Sequence, residues 1–271
     1  MLRFIRELQK FTVVILCGGT FKGKHHRMPK CLHRVGGIPL FMYALNAARG
    51  CPWVGRIIVL ADDRWPEFRD LGLVHVVSPG KNVVLSIQNG VHGLPPDDPV
   101  LIVSGDQPGV TAEGLTHVRD RCLCYPDYSG WYCFLAKERG EEAWPGHDHT
   151  YAHLAEGTFF GTGVGMLRPR ILQTEPLPPL IAELAKARKS VLKLAWLLGP
   201  KMIVRYLLGL TLMRYLFGRP SIAEAQLALS TALGFSVAPV ELGDGRFGCD
   251  ADDPDDLAYA NECFLMGSIP A

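Results

Sequence analysis

The chain has 271 residues, 48% hydrophobic and 20% charged, which is enough apolar material for one large core. Its net charge is +1, so a nucleic-acid binder working through overall charge is excluded. Eight cysteines are scattered without a C-x-x-C pair, and Cys122-Leu123-Cys124 has the wrong spacing for zinc; reduced thiols in a cytosolic protein are expected.

Charges at Arg3, Arg6, Glu7 and Lys10 interrupt the apolar residues of Met1 to Phe11, so no signal-peptide core is expected there. The chain is organised around Thr12 to Leu32, TVVILCGGTFKGKHHRMPKCL. Val13-Val14-Ile15-Leu16 predicts a buried strand. The strand breaks at Cys17-Gly18-Gly19 into a loop carrying Lys22, Gly23, Lys24, His25, His26 and Arg27, which closes on Met28-Pro29-Lys30. Paired glycines permit φ > 0 and a close backbone approach to a ligand, and successive free N–H groups form an anion-binding concavity. The cations suit a triphosphate, each Lys–phosphate contact contributing about 4 kcal/mol of gross attraction at an effective dielectric of about 20. The competing reading is a surface turn with solvated lysines. Pro29 argues against it, because it fixes the local backbone and holds Lys30 at a defined place. Two other phosphate motifs fail. His25 stands where a P-loop needs Ser or Thr, and no G-x-G-x-x-G follows the strand.

Downstream, helix patterns at Pro39 to Ala48, Arg64 to Asp70 and Val83 to His92 alternate with strand patterns at Arg56 to Ala61, Leu73 to Val77 and Val100 to Ser104. That rhythm predicts crossover connections and a mostly parallel sheet. Ligands of such sheets bind beyond the carboxyl ends of the strands, so Gly18-Gly19 and Gly105-Asp106 are expected to face one another. Asp106, directly after a strand, suits Mg²⁺, which takes one or two carboxylates with phosphate oxygens and water. Its alternative role is to cap the helix near Thr111, a role Thr111 can fill.

Trp131 to Leu135 is strand-like. His147, His149 and His153 look metal-like, but a Pro-Gly loop with solvated histidines is the preferred reading; a strand over Thr150 to Leu154 would put His149, Tyr151 and His153 on one face. Phe159 to Gly165 is a glycine-interrupted strand, a pattern that marks close backbone approach. Ala182 to Leu198 and Lys201 to Phe217 are predicted helices. The second is very apolar but holds Lys201, Arg205 and Arg214, which argues against a membrane span. A buried helical subdomain, an interfacial helix touching a membrane and a homodimer surface all remain open for 190–218. Ser221 is expected to cap a helix over Ile222 to Leu233, and Ser236 to Val240 is a strand. Five aspartates lie among Asp250 to Asp256. Asp253, Asp255 and Asp256 suit a helix N-terminus, whereas Asp250, following an apolar strand, is not explained by capping.

Leu16-Cys17-Gly18-Gly19 and Arg27-Met28-Pro29-Lys30 together resemble the L-A-G-G-x-G-x-R-M-x-P-K signature of the GT-A-like nucleotidyltransferases, the superfamily of MobA-like, sugar-1-phosphate and terpenoid-precursor nucleotidyltransferases. Here Cys17 replaces Ala and the link is longer and more basic. Gly105-Asp106-Gln107-Pro108 resembles the family's metal-binding G-D-x-P. Asn82 to Gly93 resembles its S-V-x-x-G segment, and an ordinary amphipathic helix explains that segment equally well. Asp250 to Leu257 resembles the D-x-D-x-P-x-D-L ending, and Arg188 to Gly199 resembles the start of a helical insertion in a MobA-like subset.

The resemblance implies a three-layer α/β fold with a mostly parallel, Rossmann-like sheet of GT-A type, as a single domain with a helical insertion at about 176–235. It implies transfer of an NMP from an NTP to a phosphorylated small-molecule or lipid-linked acceptor with release of pyrophosphate. Arg27 and Lys30 would be catalytic. Leu16, Cys17, Gly18, Gly19, Lys30, Asn82 and Ser86 would bind nucleotide; Gly161, Thr162 and Gly163 would line the acceptor pocket; Asp106 and Asp250 would hold Mg²⁺. No nucleic-acid partner is expected. The alternatives are a glycosyltransferase on the same fold, disfavoured because Gly105-Asp106-Gln107 lacks the second acid of a D-x-D, and a non-catalytic, membrane-associated nucleotide binder.

Overall fold

The computed structural model describes residues 10–21, 28–173, 183, 190–198, 202, 204 and 218–267. Residues 1–9, the cationic loop from Lys22 to Arg27 and most of 174–217 lie outside the described residues, and with them about half of the expected helical insertion. In chain order the strands are β1 (Phe11–Leu16), β2 (Arg34–Val35), β3 (Ile38–Pro39), β4 (Val54–Leu60), β5 (His75–Val77), β6 (Val100–Ser104), β7 (Gly130–Ala136), β8 (Ala152–His153), β9 (Thr158–Leu167) and β10 (Val237–Glu241). The helices are α1 (Leu40–Gly50), α2 (Val83–Val91), α3 (Ala112–Cys122), α4 (Lys137–Ala143), α5 (Arg170–Gln173), α6 (Val191–Leu197), α7 (Ile222–Leu233) and α8 (Pro254–Leu265).

The main sheet runs β10-β7-β9-β6-β1-β4-β5, with β8 paired to β9. Strand β1 is parallel to β4 on one side and to β6 on the other. Strand β9 runs antiparallel to its neighbours β6, β7 and β8, so the sheet is mixed but mostly parallel. Val13, Val14 and Ile15 have no exposed surface, as a strand covered on both faces requires. Val13 and Ile15 join Val59, Leu101 and Val103 against Phe41 and Leu45 of α1 and Leu115 and Val118 of α3. Val14 joins Ile58, Leu60 and Ile102 against Val84 and Val91 of α2. The period-2 alternation of β1 thus feeds two cores, giving the expected three layers. Because β4 and β6 flank β1, the direction of strand progression reverses there, which opens a crevice at its carboxyl end.

Three local expectations need correction. The helix expected over Arg64 to Asp70 is only a 3₁₀ turn, Pro66–Phe68, preceded by extended Trp65 (φ −82°, ψ 123°). Proline disfavours helical backbone in the residue before it, and the Arg64 guanidinium and backbone N–H are taken up by the Asp62 carboxylate. The strand considered for Thr150 to Leu154 shrinks to β8. The histidines of 147–149 are not a solvated loop: His147 is 7% exposed and His149 stacks on Phe160 at 3.8 Å. Elsewhere the caps appear where expected. Thr111 Oγ accepts from Gly114 N at the start of α3, and Ser221 with Glu224 forms a reciprocal capping box on α7.

Candidate active site

The crevice is built by two strand ends held level. Leu16 is in register with Ser104, and Gly105 N donates to Leu16 O at 2.9 Å. A Cβ on Gly105 would stand 2.8 Å from Cys17 Sγ and 2.9 Å from Leu16 O, so a side chain there would wedge the two loops apart. Neither Gly18 nor Gly19 has left-handed backbone, so of the two expected reasons for paired glycines the positive φ does not hold. Close approach is what they supply. A Cβ on Gly18 would meet Pro79 and one on Gly19 would meet Lys30 Cε, both at 3.0 Å. The basic loop is pinched at its base by the Thr20–Pro29 bridge and by Lys30 N donating to Gly19 O at 2.8 Å. Pro29 (φ −54°, ψ 134°) precedes a single 3₁₀ turn, Lys30–Leu32. The Lys30 side chain therefore lies across the Gly19 backbone into the crevice.

There it meets two carboxylates. Its ammonium pairs with Asp106 Oδ2 and, at 2.6 Å, with Asp252 Oδ1. Asp106 is 2% exposed. The Ser104 hydroxyl donates to its other oxygen, and Ala251 N donates to its carbonyl at 3.0 Å. That backbone bond draws the segment carrying Asp250 and Asp252 onto the end of β6. Burial works to lower the Lys30 pKa, but Asp106 and Asp252 outweigh it and raise the ammonium above the ordinary lysine value. The lysine stays charged, as a buried ammonium between two acids should.

The remaining expected residues sort by contact. Asn82 Oδ1 accepts from Leu85 N and caps α2. Ser86 Oγ donates to Asn82 O and accepts from Gly80 N, each at 2.9 Å. These two side chains brace the turn after Pro79, which in turn abuts Gly18. In β9 a Cβ on Gly161 would run into the Tyr132 hydroxyl at 2.2 Å, and one on Gly163 into the Gln107 amide at 2.7 Å. Thr162 Oγ donates within the sheet, to Cys133 O at 3.1 Å or Val164 O at 3.3 Å. Arg27 lies outside the described residues. All eight cysteines are free and seven are buried; burial pushes the Cys17 thiol well above its usual pKa, so it serves as packing rather than as a nucleophile.

Two residues at the site were not singled out from the sequence. Asp252, read only as part of a capping cluster, is the acid at 2.6 Å from Lys30. The only signal was a second acid two residues after Asp250; its direction is set by a tight turn in which Asp252 N donates to Asp250 O at 3.1 Å. Gln107, 1% exposed, donates from Nε2 to Phe247 O at 3.2 Å and ties the end of β6 to the loop before Asp250.

The donor chemistry fits Mg²⁺. Asp106 and Asp252 are hard oxygen donors already bridged by a cation, the Lys30 ammonium. Mg²⁺ takes one or two such carboxylates and completes its shell with water and phosphate oxygens.

Residues 13–195 match the MobA-like NTP transferase domain. The chain is 28% identical over 125 residues to a probable molybdenum cofactor guanylyltransferase of Pyrococcus furiosus, covering 44% of this chain and 61% of that protein. The match thus spans about three-fifths of that curated relative. Among solved structures, a hypothetical transferase from Thermus thermophilus superposes with TM-score 0.71 at 24% identity, covering 92% of this chain and all of that one. A CMP:2-keto-3-deoxy-manno-octonic acid synthetase complexed with CTP gives TM-score 0.58 at 16% identity over 96% of this chain and all of the other. A 4-diphosphocytidyl-2C-methyl-D-erythritol synthase from Anaerococcus prevotii gives 0.54 at 13% over 95% and 99%. These likenesses are of fold.

Proposed function

The chain belongs to the MobA-like NTP transferase family, and from that premise we propose that it transfers an NMP from an NTP to a phosphorylated acceptor, releasing pyrophosphate. The observation carrying this reading is the Lys30 ammonium held between Asp106 and Asp252 at the mouth of the Gly18-Gly19 turn.

An acceptor phosphate oxygen attacks the α-phosphorus in line. The new P–O bond forms as the bond to the β-phosphate oxygen breaks, and pyrophosphate leaves with the electron pair. The nucleophile is already anionic, so no general base is required, and rate comes from positioning and charge neutralisation. Backbone N–H groups of the Gly18-Gly19 turn cradle the phosphates. Lys30 turns from its carboxylates to the triphosphate and neutralises charge building on the leaving group. Arg27 is proposed to assist it. Asp106 and Asp252, with Asp250 beside them, would hold Mg²⁺, which supplies charge neutralisation at the phosphate oxygens. Asn82 and Ser86 keep the wall beside Gly18 in place, and Gly161 to Gly163 are proposed to border the acceptor.

The test is pyrophosphate release with each of the four NTPs, with and without Mg²⁺, against a panel of phosphorylated acceptors. GTP and CTP come first, since the Pyrococcus relative is named a guanylyltransferase and two structural neighbours are named for cytidylyl products. Release above background with one NTP and one acceptor is expected. Hydrolysis of a sugar nucleotide without pyrophosphate formation would overturn the reading.

A further inference from the structure

The histidines that looked like a metal cluster in the sequence are instead wired to the crevice. The His147 side chain is 3% exposed, and its Nε2 lies 3.4 Å from Asp256 Oδ1. This is an ion-pair approach that is not yet a hydrogen bond, and Nε2 has no hydrogen-bond partner among the described residues. The other Asp256 oxygen, Oδ2, accepts from Asp252 N at 3.0 Å and Asp253 N at 3.2 Å. Asp252 then reaches Lys30, and Lys30 reaches Asp106. On its far side, His147 Nδ1 is 3.3 Å from His149 Nε2. The ring is packed by Tyr259 at 5.4 Å between centroids, and Tyr259 is itself pinned by its hydroxyl to Pro145 O at 3.0 Å.

We propose that His147 is a positioning residue for nucleotide-bound metal: through Asp256 it fixes the backbone of Asp252 and so the separation of the two crevice carboxylates. A capping box needs no histidine, because Asp253 and Asp256 satisfy each other at any α-helix N-terminus. A buried imidazole aimed at the outer oxygen of that box is an additional restraint. With the imidazole packed 3.4 Å from that oxygen the carboxylate has less room to rotate, and the two N–H groups bonded to its first oxygen are steadied with it. Outer partners of this kind set metal affinity by orienting the ligands. The inference rests on the metal-dependent reading given above.

The experiment measures Mn²⁺ binding by electron paramagnetic resonance in the presence of the preferred NTP, with melting temperature as a control. His147→Phe fills the site without a polar atom, and His147→Gln restores an N–H donor. With the parent binding Mn²⁺, Phe is expected to weaken binding by about tenfold and Gln to recover most of it. In turnover, the Mg²⁺ activation constant should rise while kcat at saturating Mg²⁺ changes less. Asp256→Asn keeps an acceptor for the two backbone N–H groups but loses the charge facing His147. It should weaken Mn²⁺ by a similar factor, and the double variant should be no worse than either single, the mark of one shared interaction. Parent-like Mn²⁺ affinity in His147→Phe, or equal loss in Phe and Gln, would overturn the positioning role and leave the functional reading intact. If His147→Phe does not fold, parent-like affinity in Asp256→Asn overturns it. A parent chain that binds no Mn²⁺ with any NTP overturns both.

Discussion

The Lys30 ammonium stands 2.6 Å from the Asp252 carboxylate, 222 positions away along the chain, and the same ammonium pairs with Asp106 at the end of β6. The lysine thus occupies the place between two acids that a metal ion would need. On the proposed function, metal and lysine would compete for those acids, and an incoming phosphate would give the lysine another partner.

Replacing Lys30 should therefore have effects of opposite sign. In Lys30→Met the two carboxylates face each other without a cation, so Mn²⁺ should bind more tightly in the absence of nucleotide. With the phosphate contact gone, kcat/KM should fall by about 100-fold, the scale of losing one preorganised charge contact. Mn²⁺ titration of the nucleotide-free protein, set beside pyrophosphate release, checks both. Weaker binding of the free ion in Lys30→Met would show that the lysine is no placeholder.

The acids themselves should rank. Asp106→Asn removes the more buried of the two acids and leaves Lys30 paired with Asp252 alone, so stability should fall along with activity, by less than the about 3–5 kcal/mol that stranding a buried charge costs. Asp252 is more accessible, its side chain 21% exposed, so Asp252→Asn should lower pyrophosphate release by about tenfold to a hundredfold with a smaller change in melting temperature. Asp250→Asn measured in parallel decides which acid is the second ligand. A larger loss there than in Asp252→Asn would return that role to Asp250.

Acid stability should depend on His149. Burial first, and the charge of His147 second, push its pKa from 6.5 down to about 4. Its folded pKa is depressed, so between those values the unfolded chain binds more protons at this residue than the folded one. The contribution is fully present above pH 6.5 and is lost as pH falls toward 4. Melting temperature measured across that window should decline with pH. The decline should be shallower in His149→Phe, which keeps an aromatic ring to stack on Phe160. An unchanged slope in that variant would place the acid sensitivity elsewhere.

The β9 glycines should differ in their tolerance of alanine. At Gly163 the new Cβ would lie 2.7 Å from the amide of Gln107, a side chain only 1% exposed. Overpacking a site that cannot yield costs about 1–3 kcal/mol, and the Gln107–Phe247 bond would be lost with it. At Gly161 the obstacle is the hydroxyl of Tyr132, a residue 51% exposed, so solvent rather than packed core borders it. Chemical denaturation should therefore show Gly163→Ala as the less stable of the two. The reverse order would mean that Gln107 moves freely.

What the sequence determined by itself was local. The unbroken apolar run Val13 to Leu16, the Thr111 and Ser221 caps and the alternation of strand and helix patterns all depend on neighbours within a few residues, so the layers and the crevice at the end of β1 were legible. So was the nucleotidyltransferase resemblance, because its motifs are short and keep their order. Tertiary structure decided the rest. Gly18 and Gly19 proved to be needed for approach to Pro79 and Lys30 rather than for left-handed backbone. His147 proved to be buried beside Tyr259 rather than solvated. Asp252, among five clustered aspartates, proved to be an acid that faces Lys30. In each case the deciding neighbour is remote in sequence. Local periodicity fixes only the direction of a side chain on its own element; what it meets there depends on which distant strand or helix packs opposite.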